Sequence, residues 1–453
     1  MNSSVSKGKM TGADCENPVG PGLDEIVATN AFEANEEGMK FFDELFAIPI
    51  TATEVISQHS KHTFGTSLRR YIRSKIPITP PPHPSRVIVR PYHPEEFHLS
   101  VEKPATDEIQ LLVLNRRRPF FRYREATSTL EILCIPGTDW IRHYAVLIAS
   151  YYRLGRISED PKGAIVTQYV LPRKLQCDEW LSDSNLRELE HVDTVVLGYI
   201  RRFRRASSKP WQPGSTTTTT SDPTKRLFDW QIHHASNSTN GSQNGGSIAF
   251  LDCRFNFWGD IAGALVRVLH QLGKVRRQVL YIGKAGSLRA GDEPNAMIAT
   301  GNESWVGDAR LRWDNAFQQT LDGDHSSPAI QTGPNVSVYS PLEETHEWLS
   351  TWGERCRWVD CEVGHLASAC VESGISFGYL NIVSDNVAQA HEHDLTNEEL
   401  EVVRTRRQKL LSVIESTLDQ HLGLHPASAP YENNMTLDLA KQSDTNPAIA
   451  QVL

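Results

Sequence analysis

An α/β fold, a mixed sheet flanked by helices with an additional amino-terminal α+β region, is what this chain of 453 residues predicts. Three observations carry that expectation. Strand-like and helix-like segments alternate between residues 130 and 200, a compact strand–helix–strand unit fills 247–283, and a second helix-then-strand pair follows at 361–383.

Taken in order, "TEVISQHSKHTFGTSLRRYIRSKI" (53–76) reads as helix, and "SRVIVRPY" (85–92) and "EIQLLVL" (108–114) read as extended. "LEILCIPG" (130–137) is a short apolar strand closed by Pro-Gly, followed by the helix "DWIRHYAVLIASYYRLG" (139–155) with its Gly stop and the buried strand "DTVVLGYI" (193–200). In the second half, "SIAFLDC" (247–253), "GDIAGALVRVLHQLG" (259–273) and "RQVLYIG" (277–283) form the βαβ unit, whose last strand runs into "GKAGSLRAG" (283–291). A Gly-rich turn there would sit at the carboxyl edge of a parallel sheet, where ligands bind. "NVSVYS" (335–340) reads as a strand. In "CEVGHLASACVESG", Val363, Leu366, Ala367, Cys370 and Val371 share one helical face. The strand "FGYLNIV" (377–383) and a closing helix to about residue 421 follow, the latter opened by a Thr396/Glu399 capping box.

Residues 1–30 and 426–453 are polar and read as disordered tails, and the Ser/Thr/Asn-rich region 206–247 as a flexible insertion. This leaves an amino-terminal α+β region over 31–124 and an α/β domain over 125–425. A net charge of −9 gives no overall field favouring nucleic acid or anionic membrane, and the basic islands 114–124 and 199–209 read as solvated faces. The seven Cys lack paired CxxC spacing and several lie in apolar runs, as reduced buried thiols do. With neither an apolar leader nor a run of about 18 apolar residues, the expected address is cytoplasmic.

Two acids stand out. Glu362 opens the apolar helix, where the positive helix end favours a carboxylate, and Asp385 follows the apolar strand within "SDN". Each has a structural reading, as a helix-start acid and as a turn residue. Asp260, at the turn "WGD" before a helix, is either a helix-start acid or a ligand contact. "HEHD" (391–394) reads as a solvated loop, because adjacent residues converge poorly on one ion, and no GxSxG elbow occurs.

The block Val359-Asp360-Cys361-Glu362, with a strand ending at Ser384-Asp385, resembles the carboxyl-terminal signature of the purine nucleoside phosphorylase, uridine phosphorylase and methylthioadenosine nucleosidase family. The resemblance covers about 248–425 and implies a nucleoside-phosphorylase-like fold. It implies that Glu362 holds the ribose 2′- and 3′-hydroxyls, that Cys361 packs on the sugar where the family has methionine, and that Asp385 protonates the leaving base beside Ser384. Gly283, Lys284, Gly286 and Ser287 would then cradle phosphate or the attacking water, and Tyr339 would stack on the base. At the place where the family's phosphorylases carry an arginine before the Gly-rich turn, this chain has Tyr281. The implied function is an enzyme acting on the C1′ glycosidic bond of a nucleoside or related ribosyl compound. The same fold recruited to a different, secondary-metabolite reaction and a non-catalytic nucleoside or nucleotide sensor are the alternatives. The expected partner is a nucleoside-like small molecule. Neither membrane nor nucleic acid is expected, a homo-oligomer is left open, no cofactor or metal is expected, and phosphate would enter only as a co-substrate.

Overall fold

Period-two apolar runs build the sheets of this protein, and small residues decide where two of them bend into one another. The computed structural model describes residues 47–50, 55, 61–76, 78–92, 108–111, 118–155, 165–203, 212–213, 225–234, 246–323, 327–391, 398 and 400–424. All of these fall within the unit Ala47–Leu453.

The first sheet comprises β1 (Ile48–Pro49), β2 (Arg86–Pro91), β3 (Glu108–Leu111), β4 (Phe120–Arg124), β5 (Thr129–Cys134) and β6 (Val166–Tyr169), in the order β1-β6-β2-β5-β4-β3. Helix α1 (Leu68–Lys75) precedes β2, and α2 (Thr138–Gly155) crosses from β5 to β6, both of which run parallel to β2. The sheet spans the division at residue 124 expected from the sequence, because β4 pairs antiparallel with β5. The described part of the basic island 114–124, residues 118–124, also differs in part from the expected solvated face. Phe121 is fully buried, and Arg122 lies buried with its Nε donating to Glu131 at 2.7 Å. Burial pulls the Glu131 pKa up, but Arg122, Arg90 and Arg124 outweigh it and hold the carboxyl below its usual range.

The second sheet contains β7 (Val192–Gly198), β8 (Gln212–Pro213), β9 (Phe228–His234), β10 (Ser247–Cys253), β11 (Val275–Ile282) and β19 (Ser376–Tyr379), ordered β19-β11-β7-β10-β9-β8. Strands β19, β11, β7 and β10 run parallel, and β9 joins β10 antiparallel. Strand β9 corrects the expected flexible insertion at residues 225–234. It pairs along the whole of β10, with Leu227, Phe228 and Trp230 buried, since its apolar residues complete the core. Helices α3 (Gln176–Ser182) and α4 (Asp260–Gln271) lie along this part of the chain. Alternation along β11 sends Val279 and Tyr281 into one core and Leu280 and Ile282 into the other, so the sheet is covered on both faces.

The third sheet holds β12 (Lys284–Ser287), β13 (Ile298–Thr300), β14 (Glu303–Val306), β15 (Ala309–Arg312), β16 (Ile330–Thr332), β17 (Asn335–Ser337), β18 (Trp358–Asp360) and β20 (Asn381–Asn386), ordered β15-β14-β17-β18-β12-β20-β13-β16. Helices α5 (Gln318–Leu321) and α6 (His346–Trp352) lie within this region, and α7 (Val363–Glu372) follows β18. The closing helix α8 (Glu401–Leu422) covers the second core with Leu410, Leu411, Ile414, Leu418 and Leu422. Thr396 and Glu399, the expected capping box, lie outside the described residues, as does all of "HEHD" except His391. Both expected tails lie outside them as well.

Two strand pairs pass from the second sheet into the third. β11 continues through Gly283 into β12, and β19 through Leu380 into β20, with β11–β19 and β12–β20 both parallel. A Cβ at Gly283 would collide with the Tyr281 hydroxyl, so only glycine permits this bend. The segment 284–287 is therefore strand rather than the expected turn, and its backbone groups serve the ladders to β18 and β20. No described helix is long and apolar enough to cross a membrane.

Candidate active site

The tripeptide Asp360-Cys361-Glu362 divides its work at the start of α7. Asp360 takes the capping role, its Oδ2 accepting the Val363 N–H at 2.9 Å, while the Glu362 side chain makes no cap. Glu362 is thereby left to accept the Tyr281 hydroxyl at 3.2 Å and the backbone N–H groups of Gly259 and Cys361. Its carboxyl is 8% exposed, and burial, reinforced by the neighbouring Asp360, pushes its pKa up to about 8 against those three donors. Asp360 is itself raised by burial, although Ser337 Oγ donates to it at 2.6 Å and Asn335 Nδ2 at 2.9 Å. Gly259, at φ +55°, makes the donation to Glu362 affordable, because a Cβ there would run into Asp139.

Asp385 stands on β20, two positions along the sheet order from β18, with β12 between them. Gly286 of β12 is registered with Val359 on one side and Asp385 on the other. A Cβ on Gly286 would lie 3.0 Å from both Asp385 Oδ2 and Val359 Cγ1, so this glycine keeps the carboxyl uncrowded. Ser384 Oγ donates to Asp385 Oδ1 at 2.7 Å. Burial raises the Asp385 pKa to about 6; Ser384, Lys284 and Arg407 oppose that rise, and Glu398 adds to it.

Near the acids stand Glu344 and Tyr71, which the sequence did not single out, and Cys361, which it did. Glu344 is 3% exposed, its Oε2 has no hydrogen-bond partner among the described residues, and burial, then Asp385 and Glu343, raise its pKa well above the usual carboxylate range. The buried Cys361 thiol is raised by burial and by the field of Glu362, Asp360 and Glu344. Tyr71, on α1, is raised by burial and then by Cys361, Glu344, Glu398 and Asp385. Tyr71 and Glu344 thus join the surroundings of Cys361–Glu362 to those of Asp385. The amino-terminal region packs an aromatic residue and Lys75 onto this edge. No motif flagged them, because their role depends on a helix folded back from far along the chain.

The other expected residues are placed as follows. Lys284 donates to Glu398 at 2.7 Å. Ser287 donates to Asp292 at 2.6 Å and accepts from the Arg289 N–H, which ties it into its own connection. The Gly283 N–H donates to Asn381 Oδ1 at 2.8 Å. Tyr339 carries the Arg142 guanidinium 4.0 Å from its ring centroid, and its carbonyl accepts from Trp258. Asp260 makes the contacts of a helix-start acid. Its carboxylate accepts the N–H groups of Thr138 and Asp139 at the start of α2, while Asp139 returns the favour to the Asp260 N–H at the start of α4. Among the described residues no three His, Cys, Asp or Glu side chains are grouped to hold a metal ion.

Residues 262–419 match the family model of the phosphorylase superfamily. Similar solved structures include a 5′-methylthioadenosine/S-adenosylhomocysteine nucleosidase from Colwellia psychrerythraea in complex with adenine, at 11% identity over 52% of this chain and 96% of that one, with a TM-score of 0.36. A purine nucleoside phosphorylase from Toxoplasma gondii in complex with immucillin-H is 12% identical over 52% of this chain and 93% of its own, with a TM-score of 0.37. A futalosine hydrolase mutant from Helicobacter pylori is 10% identical over 50% and 99%, with a TM-score of 0.35. No curated protein matches the chain. The matching stretch, residues 262–419, contains both the Glu362 helix start and the Asp385 strand.

Proposed function

We propose that this protein is an enzyme acting on the C1′ glycosidic bond of a nucleoside or related ribosyl compound. One observation carries the reading. Gly286 of β12 is registered with Val359 on one side and Asp385 on the other, so the strand that leads into the Glu362 helix and the strand that carries Asp385 flank the same strand, which supports the two acids belonging to one site. Glu362 orients the ribose hydroxyls, helped by the Tyr281 hydroxyl at 3.2 Å. A carboxylate accepts two hydroxyls bidentately, so sugar binding favours the ionised form and releases the proton that burial otherwise holds there. Asp385, with a pKa near 6 in a dry setting, donates its proton to the departing base as the C1′ bond breaks. Ser384 orients the Asp385 carboxyl through its 2.7 Å hydrogen bond. Cys361 packs on the sugar.

The acceptor, water or phosphate, is decided by assay. Tyr281 stands where the family's phosphorylases carry an arginine, which supplies a neutral donor there in place of a cation. Base release from a panel of nucleosides, with and without phosphate, tests the proposal. Release that disappears in both Glu362→Gln and Asp385→Asn supports it, whereas tight nucleoside binding with no release would replace it by a sensor.

A further inference from the structure

Three helix starts meet at one buried carboxylate that the sequence did not flag. Asp139, in the first turn of α2, accepts the Asp260 N–H at the start of α4 at 3.1 Å, and accepts from His365 Nε2, in the first turn of α7, at 2.9 Å. Both donors share Oδ2. Gly263 sets how closely α4 and α7 approach, since a Cβ there would lie 2.9 Å from the His365 carbonyl oxygen.

The two elements that Asp139 ties together are the ones that hold Glu362. The residue before Asp260 is Gly259, whose N–H donates to the Glu362 carboxyl, and Glu362 itself opens α7 shortly before His365. Of the other two donors, the Cys361 N–H lies on the same turn as Glu362 and the Tyr281 hydroxyl comes from β11. The Gly259 donation therefore depends on how the Trp258–Asp260 turn is docked against α7. Gly259 has no side chain with which to anchor itself, and a Cβ on it would stand 2.5 Å from the Asp139 Cβ, so Asp139 is the wall it rests on. The charges agree. His365 faces Asp139 of α2, Asp260 of α4 and Asp360 of β18. Burial lowers its imidazole pKa, but the Asp139 hydrogen bond and the field of these acids outweigh it and hold the ring above its usual value.

We propose that Asp139 and His365 are positioning residues for Glu362: their hydrogen bond docks the Trp258–Asp260 turn on the first turn of α7, so that the Gly259 N–H meets the carboxyl that binds the sugar. Loss of the dock withdraws one donor from Glu362. The carboxyl then ionises less readily, and it is less able to accept two sugar hydroxyls. The sugar-binding consequence rests on the enzymatic reading above, whereas the effect on the Glu362 carboxyl does not.

The pH dependence of stability, compared between each full-chain variant and the same variant carrying Glu362→Gln, isolates the pH at which Glu362 ionises without reference to activity. His365→Ala should move that midpoint up by about one pH unit, the tenfold loss of acidity expected when one hydrogen bond to a charged carboxyl is removed. His365→Gln, whose amide donates to Asp139 without carrying charge, and Asp139→Asn, whose carbonyl oxygen still accepts, should both stay within about 0.3 unit of wild type. Ser368→Ala, on the same helix but bonded to the exposed Glu372, should leave the midpoint unchanged and controls for helix integrity. In base release, His365→Ala should raise KM about tenfold, and His365→Gln should restore it. A wild-type midpoint in His365→Ala overturns the proposal and leaves a structural ion pair. An equal shift in His365→Ala and His365→Gln also overturns it, because charge acting through space and not the hydrogen bond would then be the cause. A shifted midpoint in a chain that releases no base would sink the enzymatic reading alone.

Discussion

Replacing Glu362 by Gln removes one titratable group from a site where the charged form is disfavoured, which makes its effect on stability strongly pH-dependent. The carboxyl is raised from 4.5 to about 8, first by burial and then by Asp360. At about 1.4 kcal/mol per pKa unit, that gap corresponds to at most about 5 kcal/mol of folded-state preference for the neutral form. The sign follows from proton counting. Between pH 4.5 and about 8 the folded chain holds a proton that the unfolded chain has released. Stability from this group is therefore complete below 4.5 and is lost as pH rises through about 8. At acid pH the variant should be less stable than wild type by about 1–3 kcal/mol, because an amide cannot accept all of the donations from Tyr281, Gly259 and Cys361. As pH is raised, wild type should lose that advantage and fall below the variant. Urea unfolding followed by circular dichroism between about pH 5 and about pH 9 measures the difference directly, and every other titrating group cancels to first order. Parallel stability curves, differing by a constant within about 0.5 kcal/mol, would refute the claim that Glu362 is held neutral by burial.

Asp385→Asn should reduce base release by about 10²–10⁴-fold. In the wild type, kcat should fall as pH rises above about 6, where the general acid loses its proton; a rate that climbs steadily to alkaline pH would contradict the role. Tyr281→Phe deletes the hydroxyl that stabilises ionised Glu362, so the pH at which stability falls should move upward, by an amount worth about 1 kcal/mol. An unchanged midpoint would mean that the bond is not made in solution. Gly198→Ala forces a residue at φ +101° to carry a Cβ that collides with the Ile282 carbonyl. It should cost about 3 kcal/mol, read as a lower urea midpoint with an unchanged slope, and a neutral effect would argue against this close approach of β7 and β11.

Much of the fold was legible because local signals agreed with the tertiary outcome. The helix expected at 259–273 is α4 at Asp260–Gln271, and the helix expected at 361–373 is α7 at Val363–Glu372, since in both the apolar residues recur at helical spacing. The third sheet was mostly invisible. Its strands are three to six residues long, and several pair polar segments whose alternation is too short to register, such as Glu303–Val306 with Ala309–Arg312. Gly283 and Gly286 were read as turn formers, but in a strand the same glycines serve a bend and a close approach. The basic run ending at Arg124 was read as solvated because a sequence does not show that Glu131 lies across the sheet from it.

The sequence by itself determined the acids and their elements: Glu362 opens a helix because apolar spacing begins beside it, and Asp385 ends an apolar run because "SDN" breaks it. Only the tertiary structure decided what each acid experiences. Asp360 rather than Glu362 caps α7, the hydroxyl of Tyr281 reaches Glu362, Asp260 is consumed in capping another helix, and Tyr71, Lys75 and Glu344 arrive from outside the strand-and-helix block. The physical reason is that a pKa and a hydrogen bond are set by neighbours in space. Burial and the field of nearby charges move Glu362 to about 8 and Asp385 to about 6, and neither neighbourhood is written in the spacing of the residues that carry the acids.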